Sequence, residues 1–513
     1  MNTFKGKESS PKGQDARTLL CTPKNNVEIK LIGSTGTCAH YGLKAILELF
    51  ACVDQNVILI FVDGLIVPKS SRSEIFTILG EINNCEALAQ SFITGAHHGP
   101  GKPACPHEFM GDFLEELTDL NVDGFFYNDV YYRVEGDFSY YAPLRTNDNC
   151  TTGVPEEYEN STSPLEGFLD IMIDVPLDPM HHLHLGVGKN HANLFLSSLK
   201  SLGSEDLMKQ LDDDYSSLKN WTPMEFGRKP RDFSEFSHFE AVEHRMIVLY
   251  TGPVIFSKYI QDEKILHFNL LNLASCYLTS GETCISKNAD AKELMILYVD
   301  EMRELYGDHN IIYCVHNCIH LPDDVLRHSS LDSFSAFTFE NHLRFVRKNV
   351  RQGNQVLSQV TKRSNEQAIV AMSRSRTKLK EKLMMKPSEF YLTNQLKKAT
   401  LPDGYENAYK FIKCTHFTLT SSIPNNCCYL TDGSLVSIQY ICEESGTGQK
   451  VILYNEFENL CSIENYPIDS RETGVCETND LKEDLMECSV SLIQVKVFQM
   501  YFNNQFYFFP LLY

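Results

Sequence analysis

The sequence predicts an α/β chain in which a sheet-building segment is interrupted by a long helical insertion and followed by a small all-β unit. Three observations predict it. An apolar run of strand length, Val57 to Val62, is followed by further strand-like segments. The pattern turns helical around Asp178 and stays so to about Leu383. From about Phe411 the period switches to two, with turns at Asn425-Asn426, Asp432-Gly433 and Gly446-Thr447-Gly448.

Taken in order, residues 1–28 are polar and rich in Lys, Gly and Ser, and are expected to form a flexible segment. A helical stretch is expected near Tyr41 to Phe50. In the run Val57-Ile-Leu-Ile-Phe-Val62, five of the six residues are β-branched or aromatic. It reads as a buried central strand with Asp63 at its C-terminal end and Gly64 breaking it. Phe76–Ile82 and Ala87–Ile93 are its expected partners, and Gly95–Pro106 reads as a loop. His107 opens a helix whose Phe109, Phe113, Leu114, Leu117 and Leu120 share one face. Phe125–Val134 reads as a hairpin turning at Asn128-Asp129. Leu177 to Leu185 reads as a helix start, with Asp178 as cap and Pro179 as first helical residue. Long helical patterns cover 240–280, 290–325 and 334–365. The expected domains are 29–188 (first part of a sheet core), 189–330 (helical insertion), 331–385 (core-completing helices), 386–410 (linker) and 411–513 (β domain).

Apolar content of 43% and charged content of 22% suit a folded chain rather than a disordered one. No run of 18 apolar residues occurs, so no membrane-spanning helix is expected. Met1 to Arg17 is polar and basic, unlike a secretory signal. The 17 cysteines are scattered and odd in number, which suggests reduced intracellular thiols. In that setting the sequons at Asn149 and Asn160 carry no meaning. The net charge of −21 argues against nucleic-acid binding in bulk. One region departs from it. Arg344, Arg347, Lys348, Arg351, Lys362, Arg363, Arg374, Arg376, Lys378, Lys380 and Lys382 face only Glu366 and Glu381. The strip is either a solvated helix face or a track of phosphate contacts.

Four groups of residues are candidates for chemistry. Asp63 ends an apolar strand, where a carboxylate is costly unless paired, and a divalent cation would pair it. Its alternative is a capped acid in a tight turn. Glu340 is a single acid among aromatics near a helix start, and its alternative is a charge facing the helix dipole. Asp178 and His181 lie one helical turn apart on one side. They read as a metal or phosphate site, or as a cap beside a core histidine. Cys314-Val-His316-Asn-Cys318-Ile-His320 places ligand types at alternate positions, but on a helix the two pairs point apart. Zinc needs four convergent ligands, so helix core is the better reading. No phosphate-binding glycine loop, nucleophile elbow or His-Glu-x-x-His motif occurs.

Several stretches together resemble the transposases of CACTA (En/Spm-type) DNA elements and their domesticated relatives. They are Asp15 to Pro23, Val62-Asp63-Gly-Leu-Ile-Val-Pro-Lys-Ser-Ser71, Phe76 to Gly80 and Pro143 to Thr146. They continue with Asp174 to His181, Leu185 to Val187, Phe226 to Arg231 and Leu249 to Pro253, and then with Val315 to Leu321 and Leu331 to Asn341. They occur in the family's order over about residues 15–365.

The resemblance implies a ribonuclease-H-like mixed sheet that gathers three distant acids around two Mg²⁺ ions, for metal-dependent DNA cleavage and strand transfer. Asp63 matches the first family acid and Glu340 the last, so both are the implied catalytic and metal-binding residues. Asp178 and His181 match the family's Asp-x-x-His signature. Arg344, Arg347, Lys348, Arg351, Lys362 and Arg363, from the basic strip, are the candidate DNA contacts. The implied setting is the nucleus, with DNA, protein partners or a second copy of the chain as company.

The most serious departure of the sequence from the family falls at one place. Relatives carry a strand with the second acid, in a stretch resembling Asp-Ala-Pro-Ala-Arg, and then a Cys-x-x-Cys. Here Val134-Glu-Gly-Asp-Phe138 runs straight on to Tyr140-Tyr-Ala-Pro-Leu-Arg145. A catalytically impaired, transposase-derived protein is therefore the leading expectation. The alternatives are a non-enzymatic DNA- or protein-binding scaffold, and an active nuclease that uses Asp137 or Asp178 as a substitute acid.

Overall fold

A computed structural model of the chain describes residues 27–33, 36–44, 47, 58–66, 73–82, 91–122, 125–127, 130–132, 174–201, 205–351, 355–364, 366, 390–396 and 400–512. The chain divides into two compact units. One comprises Met1–Val175 and Phe337–Met384, the other Pro176–Ala336 and Met385–Tyr513.

The first unit is built on an antiparallel sheet of β1 (Ile29–Ile32), β2 (Gly36–His40), β3 (Ile58–Ile66), β4 (Glu74–Ile82) and β5 (Phe92–Gly99). The strand order is β1-β2-β5-β4-β3. Helix α1 (Pro106–Val122) covers one face, with Phe109, Phe113 and Leu114 packed against Cys38, Ile78 and Phe76. It carries the apolar stripe expected of it. A hairpin of β6 (Phe125–Tyr127) and β7 (Val130–Tyr132) follows, paired across residues 128–129 as the sequence predicts.

Several expectations for this sheet are corrected. Among the described strands the Asp63 strand is not central: it ends the strand order, and its side chains from Ile58 to Leu65 are half-buried or exposed. Nor does Gly64 end it, because pairing runs on to Ile66. Across the sheet Gly64 faces Phe76, whose ring fills the place of a side chain; a Cβ there would lie 2.5 Å from the ring. Glycine here marks a close approach rather than a break. The expected loop from Gly95 begins as strand β5, in which Ala96 and His97 are buried. The predicted partner Ala87–Ile93 overlaps that strand only at its end. Of the helical stretch predicted at 41–50, Lys44 and Leu47 are helical among the described residues.

The second unit begins helically. Pro179 opens a stretch with π-helical bonding over Met180–Gly188, which continues as α2 (Lys189–Ser201). A second π-helical stretch, Ile247–Thr251, packs against the first; a Cβ on Gly188 would lie 2.4 Å from Val248. The core of this region is aromatic, with Phe195, Phe256 and Phe268 mutually edge-on or tilted. It is closed by α3 (Asp262–Thr279) and α4 (Asn288–Tyr306).

At Phe337 the chain re-enters the first unit as α5 (Phe337–Asn349). With the helical residues 356–364 it covers the sheet face opposite α1. Phe339, Leu343, Val346 and Leu357 pack there on Ala39, Ile75, Leu79 and Ala96.

The C-terminal region is β-rich, as the change of period predicts. It begins earlier than expected: β8 (Tyr391–Gln395) and β9 (Tyr405–Glu406) fall within the predicted linker 386–410. They are followed by β10 (Tyr409–Lys413), β11 (Thr418–Leu419), β12 (Cys427–Leu430), β13 (Leu435–Glu444), β14 (Lys450–Glu456), β15 (Cys476–Glu477), β16 (Met486–Ser489), β17 (Ile493–Phe502) and β18 (Gln505–Pro510). The main antiparallel path is β15-β18-β17-β12-β13-β14-β16.

The region is not a separate body, because it shares one unit with the helices. Trp221 packs against Tyr501 and Phe506, and Phe226 against Phe498. The Lys496 amine is fully buried and donates to Glu225, the Thr418 carbonyl and Asn425, each at 2.7 Å.

Candidate active site

Asp63 lies inside β3, and strand alternation fixes its direction. Leu59, Phe61 and Leu65 pack into the core shared with α5, whereas Ile58 packs into the core shared with α1. Asp63 has the parity of the first set and so faces the α5 side. Its cross-strand partner is Thr77, which is fully buried and bonds the Asp63 carbonyl at 3.3 Å. The next partner along the row is Ala96. One Asp63 carboxylate oxygen accepts the Gly64 N–H at 2.6 Å.

Glu340 sits in the first turn of α5, on the flank between its inward and outward faces, and is half-buried. The residue before it, Phe339, is 3% exposed and stacks on Phe61. The ring centroids are 4.9 Å apart and the planes differ by 6°. Phe61 is two residues from Asp63 on the same face. The two acids the sequence singles out therefore belong to one unit and one side of one sheet.

Asp178 and His181 lie in the other unit, where Asp178 acts as a cap and a tie. Its carboxylate accepts the N–H groups of Met180 at 3.1 Å and His181 at 3.2 Å, a ring nitrogen of His181 at 2.5 Å, and the N–H of Ala336 at 2.8 Å. Burial opposes its ionisation, but the bonds from His181, Ala336 and Met180 outweigh it and hold its pKa below the ordinary range. Nearby, Asp324 accepts the Leu177 N–H at 3.0 Å. The helical insertion thus enters at 177–180 and leaves at 336 from one stitched point. The cap half of the expectation is seen. The core-histidine half is corrected: His181 is exposed, and the buried imidazoles are its neighbours His182 and His184. The π-helical winding turns those two inward.

Cys314 and Cys318 fall on a short helix and the turn after it, Tyr313–Asn317 and Cys318–His320. Cys318 is buried and bonds the Val315 carbonyl at 2.9 Å, while His316 is exposed. Arg344, Arg347, Lys348 and Arg351 lie exposed along the outer face of α5 and just beyond it. Lys362 is exposed on the following helix, and Arg363 pairs with Glu366 at 2.6 Å. Asp137 and the cations from Arg374 to Lys382 lie outside the described residues.

Several residues of consequence escaped the sequence reading. Thr77 looked like one residue of a partner strand. Glu116 holds His40 at 2.8 Å and the N–H groups of Leu43 and Lys44 at 2.7 and 2.9 Å, beside an open pocket that Asp112, Glu115 and Asp119 make acidic. Only the spacing of Glu116 along α1 hinted that it leaves the apolar stripe.

The Mg²⁺ pair that the resemblance implies would be held by three carboxylates. Among the described residues, no three His, Cys, Asp or Glu side chains come together as a metal site. Asp63 and Glu340 would supply at most two of the three, so the described residues fall one short of the set the Mg²⁺ pair needs.

The chain is a mixed α/β protein with antiparallel sheets and a C-terminal β-rich region. Residues 394–511 of that region match a family model described as a domain of unknown function, DUF8592. No curated protein matches the chain.

Proposed function

We propose that the chain derives from a cut-and-paste DNA transposase with a ribonuclease-H-like core and has lost strand cleavage. The observation that carries this reading is the shared sheet face of Asp63 and Glu340, linked by the Phe61–Phe339 stack. Three features support it. Helices cover both faces of the sheet that bears Asp63. A helical insertion leaves the chain and rejoins it at the point tied by Asp178. A core short of one strand is expected to leave a sheet edge, and β3 pairs with β4 alone among the described strands.

In this reading the ancestral reaction used carboxylate-held Mg²⁺ to cut DNA, and the loss of the second acid removed it. DNA contact in the nucleus survives through the exposed cations of α5. A second reading is a scaffold for protein partners. It is favoured by the net charge of −21 and by a β region that packs on the helices through Trp221 and Lys496.

Purified chain incubated with Mg²⁺ and DNA carrying candidate element ends is expected to leave the DNA uncut. Metal-dependent cutting that Asp63→Ala abolishes would overturn the loss of activity. Binding to DNA is expected to fall steeply with salt. Absence of DNA binding together with salt-insensitive capture of a protein partner would favour the scaffold.

A further inference from the structure

In the second unit the loop after β14 is hydrogen-bonded to itself. Ser470 donates its N–H to the Glu464 carbonyl at 3.0 Å, and the Ile463 N–H bonds the Ser470 hydroxyl at 3.0 Å. The loop presents the Glu464 side chain to α3, where one carboxyl oxygen accepts the side-chain amide N–H of Asn269. Asn269 is only 1% exposed, and its amide oxygen has no hydrogen-bond partner. A buried carbonyl without a donor is costly.

A neutral Glu464 carries an O–H donor of the kind that carbonyl lacks. A carboxylic acid and a carboxamide match in two bonds: amide N–H to acid carbonyl, and acid O–H to amide carbonyl. A carboxylate offers no donor for the second. Among the described residues, the charged and titratable groups around Glu464 supply no compensating cation. From α3 come Cys276 and Tyr277, and from α4 Glu301, which accepts the Tyr466 hydroxyl at 3.4 Å. On the loop itself Arg471 is held by Asp469, and in the helical region Arg245 is held by Asp332. Lys287 is paired with Asp290.

We propose that Glu464 and Asn269 form a proton-operated clasp that holds the C-terminal β region on the helices when Glu464 is neutral and loosens when it ionises. Opening releases the carboxyl proton to solvent and leaves the Asn269 oxygen unpaired. Burial pushes the Glu464 carboxyl up to about 8, which puts the transition near neutral pH.

Hydrogen exchange of the intact chain tests this, read as protection relative to intrinsic rates in peptides spanning 262–279 and 460–475. In the parent chain protection is expected to fall as pH rises from the ordinary carboxyl range toward about 8, by up to about tenfold per pH unit, and to level off above that. Glu464→Gln, whose amide reproduces both bonds, is expected to keep the low-pH protection throughout. Asn269→Ala is expected to show weak protection at every pH. A Glu464→Gln profile that titrates like the parent overturns the clasp, as does one already unprotected at low pH.

Discussion

The ring of Phe61, on the strand that carries Asp63, lies flat on the ring of Phe339, which immediately precedes Glu340. The stack ties α5 to a strand with one neighbour among the described strands, so it fixes where that helix begins. Phe339 is almost wholly buried. Phe339→Ala is expected to cost about 3–5 kcal/mol, the range for emptying a buried aromatic site. Phe339→Leu should cost far less. Denaturant unfolding would check the midpoints, and exchange of the α5 amides would check the locality. An unchanged midpoint for the alanine variant would mean that the stack does not anchor the helix.

Asp178 combines capping of α2's π-helical start with a bond to Ala336, far away in sequence. Asp178→Ala removes the acceptor for four donors at once. A charge-assisted acceptor at a helix start and a buried tie together are worth about 3 kcal/mol. Asp178→Asn keeps one oxygen and should lose roughly half of that by the same reasoning. Exchange is expected to rise at 177–190 and 330–336 together, because one carboxylate serves both ends. A rise confined to 177–190 would separate the cap from the tie.

Most elements of the fold were legible where a period repeats over many residues. The apolar stripe of α1, the hairpin around residues 128–129 and the strands beyond Phe411 follow directly from spacing. Local reading failed where a distant neighbour decides the outcome. Gly64 looks like a break until Phe76 is placed opposite it. Gly95 and Gly99 suggest a loop until β2 and β4 pair on either side of them. At the candidate site, Asp63 and Glu340 stood out as acids among apolar residues, but Thr77 and the Phe61–Phe339 stack exist only in three dimensions. The junction of the β region with the helices was invisible for the same reason. A lysine in a strand of alternating residues reads as solvent-facing, and Lys496 is instead buried among three acceptors.

The helical region carries five buried imidazoles: His182, His184, His191, His244 and His267. Burial lowers the pKa of each, to about 4 for His182, His244 and His267 and further for His184 and His191. Unfolded histidine titrates near 6.5, so between these values the unfolded chain binds more protons. Stability from neutral imidazoles is therefore full above about pH 6.5 and is lost as pH falls toward 4. His267 donates to the Tyr298 carbonyl at 2.9 Å, a bond that Gln at this position is expected to replace in part. His267→Gln should reduce the acid slope of the unfolding free energy by about 1.4 kcal/mol per pH unit, one proton's worth. An unchanged slope would show that His267 is already protonated in the fold.

Lys496 is the centre of the junction between β17 and the helical region. Its amine satisfies Glu225 and Asn425, and Glu225 in turn accepts the Thr418 N–H at 2.9 Å. Asn425 also receives the Met224 N–H at 3.0 Å. Burial lowers the Lys496 pKa, and the adjacent Glu225 carboxylate opposes that. Lys496→Met leaves a partly exposed carboxylate without its cation and takes one donor each from Asn425 and the Thr418 carbonyl. Breaking a buried pair costs about 3–5 kcal/mol, and the exposure of Glu225 places the loss toward the lower end. The chain's single tryptophan gives a direct readout, because Trp221 packs on Tyr501 and Phe506 at the same junction. Lys496→Met is expected to redden Trp221 emission and to lower the unfolding midpoint. Adding Glu225→Gln should recover part of the loss, since it removes the stranded charge. If the double variant is as unstable as the lysine variant alone, the two residues do not act as a pair.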